Sequence, residues 1–156
     1  MNIENINVLF LYKNYISDEY HEKLIKFIND QPWNESLSRR THIMDIYMII
    51  VKNKKHKVLL QLKTNIESLP MFNNIKFDQY IVNEYFPGQD ISPHVDHITQ
   101  FGPIVVSLSL DSPCTFQFIS NNTVLNYNLE AKELCVMSKD ARYFWKHSIT
   151  FRSIKN

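Results

Sequence analysis

His94-Val-Asp96 places an imidazole and a carboxylate two residues apart, and a further imidazole, His147, follows 51 residues beyond Asp96. In extended backbone, residues i and i+2 leave on the same face, so the first pair can converge on one point. Two histidines and one carboxylate on one face of a metal leave the opposite positions open. That arrangement suits a non-haem iron that must take up dioxygen and a cosubstrate. A structural zinc site would instead close its coordination with four protein ligands. Alone, His-x-Asp is a weak signal, because a surface histidine beside an Asx turn has the same spelling. The flanks strengthen it: Pro87-Gly88 marks a turn before the pair, Gly102 another after it, and Arg142-Tyr-Phe-Trp-Lys-His147 ends an aromatic run in an imidazole. His97, adjacent to Asp96, is expected to point away from the pair.

Such residues need a scaffold. Val8–Tyr12 reads as a short strand, and Ser17 can cap a helix in which Tyr20, Leu24, Phe27 and Ile28 share a face. Gln31-Pro32 should stop that helix. Ile43–Val51 reads as a strand, followed by a basic turn over Lys52–Lys57. Val58, Leu59, Leu62, Ile66 and Leu69 have helical spacing ahead of Pro70. From Phe77 onward the pattern changes to short runs rich in β-branched and aromatic residues: Tyr80–Phe86, Ile104–Leu110, Thr115–Ile119, Val124–Leu129, Leu134–Met137 and Tyr143–Phe151. Turn signals separate them. Helices first and many short strands later give an α+β chain with a mainly β core, as a sandwich, jelly roll or barrel.

Composition adds bounds. A length of 156 residues suits one domain, and a formal net charge of +1 leaves any basic footprint local. Cys114 and Cys135 lack metal-type spacing and sit in apolar runs, which reads as buried free thiols. Neither a signal-peptide pattern nor a membrane-length apolar stretch is present, so a soluble, intracellular protein is expected by default, and a monomer likewise.

Asn83-Glu-Tyr-Phe-Pro-Gly-Gln-Asp-Ile-Ser-Pro-His94-Val-Asp96 resembles the signature N-x-Y-x-x-G-x-x-I-x-x-H-x-D of the AlkB family. Phe101–Leu110 and Thr115–Phe118 are similar to the family's next two strands, and Ala141–Ile149 to its distal-histidine strand. Arg39-Arg-Thr-His-Ile-Met-Asp-Ile-Tyr47 resembles the segment of its substrate-covering lid. The motifs recur in order over nearly the whole chain. The resemblance implies a double-stranded β-helix (jelly roll) with two N-terminal helices packed on it: residues 1–76 as N-terminal extension and lid, residues 77–156 as jelly-roll core. It implies Fe(II) held by His94, Asp96 and His147, and 2-oxoglutarate as cosubstrate, hydrogen-bonded by Asn83 and Tyr85. The implied activity is a dioxygenase that oxidatively demethylates alkylated bases in DNA or RNA, releasing succinate and formaldehyde.

Substrate contacts are expected from Arg39 and Arg40, with the Lys52–Lys57 run, on nucleic-acid phosphates, and from Tyr47 stacking on an extruded base. A solvated hairpin explains the lysine run equally well, and Trp145 reads as core. Two departures from the family pattern stand out. Asp45 or its neighbour occupies the place of a lid glycine, which leaves the substrate open. Only nine residues follow His147, so the family's last strand and its 2-oxoglutarate-anchoring arginine are expected to be missing, with Arg152 unable to replace it. On that basis this chain is expected to bind Fe(II) but to turn over poorly. Two other readings remain: a catalytically impaired nucleic-acid or protein-binding module, and a protein or small-molecule hydroxylase of the same superfamily.

Overall fold

The computed structural model describes residues 6–30, 46–49, 57–77, 79–85 and 90–150. Two compact units result, one of Asp18–Glu84 and one of Met1–Ser17 with Tyr85–Asn156. The chain enters through strand β1 (Leu9–Tyr12), whose partner comes from the far end of the sequence.

In the unit Asp18–Glu84, helix α1 (Asp18–Asn29) buries Tyr20, Leu24, Phe27 and Ile28, the face set by their spacing. Asp18 and Glu19 in its first turn and Lys26 in its last complement the helix dipole. Strand β2 (Ile46–Ile49) follows, then helix α2 (Lys57–Glu67), which buries Leu59, Leu62 and Ile66. A 3-10 turn, Pro70–Phe72, comes next. Proline fits the start of such a turn, where its missing N–H has no intrahelical partner to lose. The Tyr20 hydroxyl donates to the Val58 carbonyl and the Tyr80 hydroxyl to Leu59 O at 3.0 Å, tying both tyrosines to α2. Strand β3 (Ile81–Glu84) pairs antiparallel with β2, matching Tyr47 to Asn83.

The second unit holds β1 with β4 (Asp90–His94), β5 (Ile104–Leu108), β6 (Cys114–Ser120), β7 (Thr123–Leu129), β8 (Leu134–Ser138), a short helix α3 (Lys139–Tyr143) and β9 (Lys146–Thr150). They form two antiparallel sheets, ordered β1-β8-β5 and β4-β9-β6-β7. Alternation along β6 turns Cys114, Phe116 and Phe118 inward. Residues of β6 and β7 meet Leu9, Cys135 and Met137 from the other sheet in one buried cluster. Two sheets closing on a shared apolar layer make the jelly roll implied by the sequence motifs. The hairpin between β6 and β7 turns at Asn121 with φ 50°, a left-handed position that asparagine tolerates. Cys114 and Cys135 are free and buried, as their apolar neighbours indicate.

Three local expectations change. The strand expected over Tyr143–Phe151 forms as β9 at Lys146–Thr150; Tyr143 instead ends helix α3, Phe144 and Trp145 lie between the two, and Phe151 is outside the described residues. The Phe144 and Trp145 N–H groups both donate to Asp140 O, at 2.9 and 3.2 Å, so a helical turn claims the aromatic run before the ladder begins. Second, Asp90–His94 is a strand that propensity conceals, since Pro93 lies within it. Third, β1 joins the sheet of β8, so a segment expected as part of an N-terminal extension contributes to the β core. Residues 151–156, with Arg152, lie outside the described residues. Among the described residues, no helix is long and apolar enough to cross a membrane.

Candidate metal centre

Strand pairing builds the site. His94 is the register partner of His147 across β4 and β9, and His147 is the partner of Phe118 across β9 and β6. Phe118 in turn pairs with Leu125 on β7. Cross-strand partners share a sheet face, so the row His94, His147, Phe118, Leu125 lies along the face that carries the core. Phe118 is wholly buried, and its ring and that of Phe116 lie 6.5 and 5.7 Å from the His147 ring. The two histidine rings stand 4.4 Å apart.

Asp96 completes the group from the loop beyond β4. Its carboxylate oxygens lie 3.5 Å from His94 Nε2 and 3.8 Å from His147 Nε2. One ligand-type atom from each of the three residues lies within 4.8 Å of the others. The approach of His94 and Asp96 does not come from a regular strand: the β4–β9 register shifts between Ile91 and His94, and Asp96 follows the strand end. Metal bonds of about 2.0–2.2 Å place neighbouring ligands on one face about 3 Å apart, somewhat closer than these three groups stand. His94 Nδ1 lies 2.8 Å from the Ser92 carbonyl, which can only accept, so Nδ1 carries the proton and the Nε2 lone pair faces Asp96 and His147. The donor set therefore fits a divalent iron. Exposure is graded: 11% for the His147 side chain, 21% for Asp96 and 40% for His94, so the centre is closed on one flank and open on the other.

The electrostatics follow from this placement. Burial pushes His147 down to about 4, with the nearby His94 and Arg142 charges adding to it against the pull of Asp96. His94 is raised because its protonated form can donate Nε2–H to Asp96, which outweighs desolvation. Burial pulls the Asp96 carboxyl upward, yet its bond to His94 and the charges of His147, His94 and Arg142 hold it below the usual carboxylate value. His147 is thus neutral and Asp96 ionised at neutral pH, and His94 is the ligand whose proton competes with a metal at the highest pH.

Of the other residues singled out by sequence, His97 stays out of the group. Its Nδ1 accepts from the N–H groups of Thr99 and Gln100, at 3.4 and 3.3 Å, and caps the turn after Asp96. Asn83 lies exposed on β3, and the half-buried Tyr85 is the first residue of the other unit after it. Tyr47 lies on β2 as the register partner of Asn83. Arg39, Arg40, Gly88 and residues 52–56 lie outside the described residues. Trp145 packs partly buried against the core cluster, as expected, although it lies in the turn between α3 and β9 and not on a strand. One participant lies inside the motif that ends in His147, but the sequence assigns it no role. Arg142, 2% exposed, donates to the backbone carbonyls of Asp96, His97 and Gly102 at 2.9, 3.2 and 3.2 Å. Its place five residues before His147 is visible in the chain; its target is not.

Residues 53–155 match the family described as the 2OG-Fe(II) oxygenase superfamily. An uncharacterized protein of Acanthamoeba polyphaga mimivirus is 31% identical over 157 residues, covering 94% of this chain and 74% of that protein. The tRNA (carboxymethyluridine(34)-5-O)-methyltransferase alkbh8 of Xenopus tropicalis is 41% identical over 76 residues, covering 48% of this chain and 12% of that protein. The chain thus spans a small part of that longer relative. The solved structure of OsALKBH1 superposes with a TM-score of 0.66 over 92% of this chain and 85% of its own, at 13% identity, a likeness of fold.

Proposed function

Since the chain belongs to the 2OG-Fe(II) oxygenase superfamily, on its AlkB-like branch, we propose that this dioxygenase oxidatively demethylates alkylated bases of nucleic acid, with RNA as the first substrate to test. The observation that carries the reading is the convergence of His94, Asp96 and His147 on one point, with Ser92 fixing the His94 tautomer. When bound there, iron with 2-oxoglutarate supplies the power to oxidise an unactivated C–H bond with dioxygen.

The chain's own part is to hold and orient. His94 and His147 present neutral nitrogens, and Asp96 supplies the charge that partly neutralises a divalent ion. Phe116 and Phe118 back the His147 ring with an apolar wall that keeps water from that side. The more exposed His94 flank is where cosubstrate and substrate have room to approach. In this reading Asn83 and Tyr85 hydrogen-bond 2-oxoglutarate, Arg39 and Arg40 neutralise backbone phosphates, and Tyr47 stacks on the target base. The preference for RNA rests on the tRNA-modifying name of the alkbh8 relative.

The test is formaldehyde release from N-methylated single-stranded RNA and DNA oligonucleotides, supplied with Fe(II), 2-oxoglutarate and oxygen. Stoichiometric formaldehyde and succinate are expected. Succinate without formaldehyde, accompanied by hydroxylation of a protein or small molecule, would move the substrate outside nucleic acid.

A further inference from the structure

The three candidate ligands are not held alike. His94 ends β4, and its ring is anchored to the Ser92 carbonyl. His147 lies inside β9, paired with β4 on one side and β6 on the other. Asp96 belongs to neither ladder; it sits in the loop between β4 and β5. A carboxylate on an irregular loop is the ligand whose position strand pairing leaves least determined.

Arg142 supplies what the ladders do not. Its Nη1 donates to Asp96 O at 2.9 Å, its Nη2 to His97 O at 3.2 Å, and its Nε to Gly102 O at 3.2 Å. The carbonyls come from the two ends of one loop and meet the three nitrogens of one planar group. The guanidinium is buried and lies over the Tyr143 ring, with Cζ 4.9 Å from its centroid. Burying a cation is costly unless its donors are satisfied, so this environment is built around the arginine. Arg142 also sits on α3, directly ahead of the strand that carries His147. One side chain therefore links the loop of the carboxylate ligand to the element of the distal histidine.

Resting on the metal-site reading above, we propose that Arg142 is a positioning residue for the metal centre: its guanidinium clamps the Asp96 loop and so sets metal affinity. Ordering the loop before metal arrives removes that entropic cost from binding. The rigid fork of arginine is essential to this, since a lysine ammonium is a point charge on a flexible stem and cannot span three carbonyls.

The test titrates Co(II), as a spectroscopic stand-in for Fe(II), into the full chain and its Arg142→Gln and Arg142→Lys variants, with circular dichroism of each metal-free protein. Removing a group that orients a metal ligand from behind typically costs roughly 10–100-fold in metal affinity, and Arg142→Gln is expected in that range with an unchanged far-ultraviolet spectrum. Arg142→Lys should recover part of the affinity, and the visible spectrum of the saturated variants should shift as Asp96 moves in the coordination sphere. If the arginine were purely stabilising, its substitution would lower the melting temperature and leave the dissociation constant and cobalt spectrum of the folded protein unchanged; that result overturns the clamp. If Arg142→Gln fails to fold, Arg142→Lys carries the comparison. Should neither fold, the Arg142 Nε–H resonance of the metal-free wild type decides: slow solvent exchange supports the clamp and rapid exchange refutes it. Wild-type protein that binds no Co(II) would overturn the ligand reading itself, whereas wild-type and variants that bind alike overturn the clamp alone.

Discussion

His94 and His147 face each other across the β4–β9 ladder with ring centroids 4.4 Å apart, although 53 positions separate them in the chain. The next partner in that row, Phe118, is wholly buried beneath the His147 side of the site. Phe118→Ala should destabilise the metal-free protein by about 3–5 kcal/mol, because it removes a packed ring and leaves a cavity under the histidine. Chemical denaturation checks this. A change below about 1 kcal/mol would mean that the row is not packed as described.

Metal affinity should fall with acid in a defined order. Protons compete with metal for the same lone pairs, so affinity declines once pH drops below the pKa of a free ligand. His94 lies above its ordinary 6.5, so the first decline, with a slope of one proton, is expected to begin above pH 6.5. His147 titrates only at about 4, and Asp96 below the usual carboxylate value, so neither adds to the slope near neutrality. Isothermal titration with Co(II) between about pH 5 and 8 checks the order, and a two-proton slope across about pH 6 would contradict it.

For the cosubstrate, Tyr85→Phe should weaken 2-oxoglutarate binding by about 1 kcal/mol, the ordinary worth of one hydrogen bond. The measurement is the 2-oxoglutarate dissociation constant of the metal-loaded protein. Unchanged affinity would remove Tyr85 from the cosubstrate site.

The proposed pairing of Arg39 and Arg40 with phosphates carries a salt signature. Binding of methylated single strands should weaken linearly in log–log form as salt rises. Arg39→Ala with Arg40→Ala should flatten that slope by about 0.7 for each phosphate no longer neutralised. Fluorescence anisotropy across a salt series measures it. Identical slopes for wild type and double variant would place the arginines away from the nucleic acid.

Much of this is legible in the sequence where a period and a chemistry agree. The apolar spacing of Tyr20, Leu24, Phe27 and Ile28 marks the buried face of α1, and that of Leu59, Leu62 and Ile66 the face of α2. The three candidate ligands are named by residue type, motif and order. What stays hidden depends on tertiary contact. Tyr143, Phe144 and Trp145 have strand-like side chains, but two backbone bonds to Asp140 make them the end of a helical turn. Pro93 disguises β4, which tolerates it next to an irregular register. Arg142 looks like any basic residue until the carbonyls of Asp96, His97 and Gly102 surround it. No local pattern encodes a pairing between residues so far apart in the chain.

The most direct test of the account is conversion of 2-oxoglutarate to succinate by wild type and by His94→Ala and His147→Ala, with and without added Fe(II), together with metal content per chain. The account predicts one iron per wild-type chain and iron-dependent succinate. Each alanine variant should fold like the wild type, lose the iron and form no succinate. Succinate formation independent of iron, or full iron occupancy and turnover in either folded histidine variant, would contradict it.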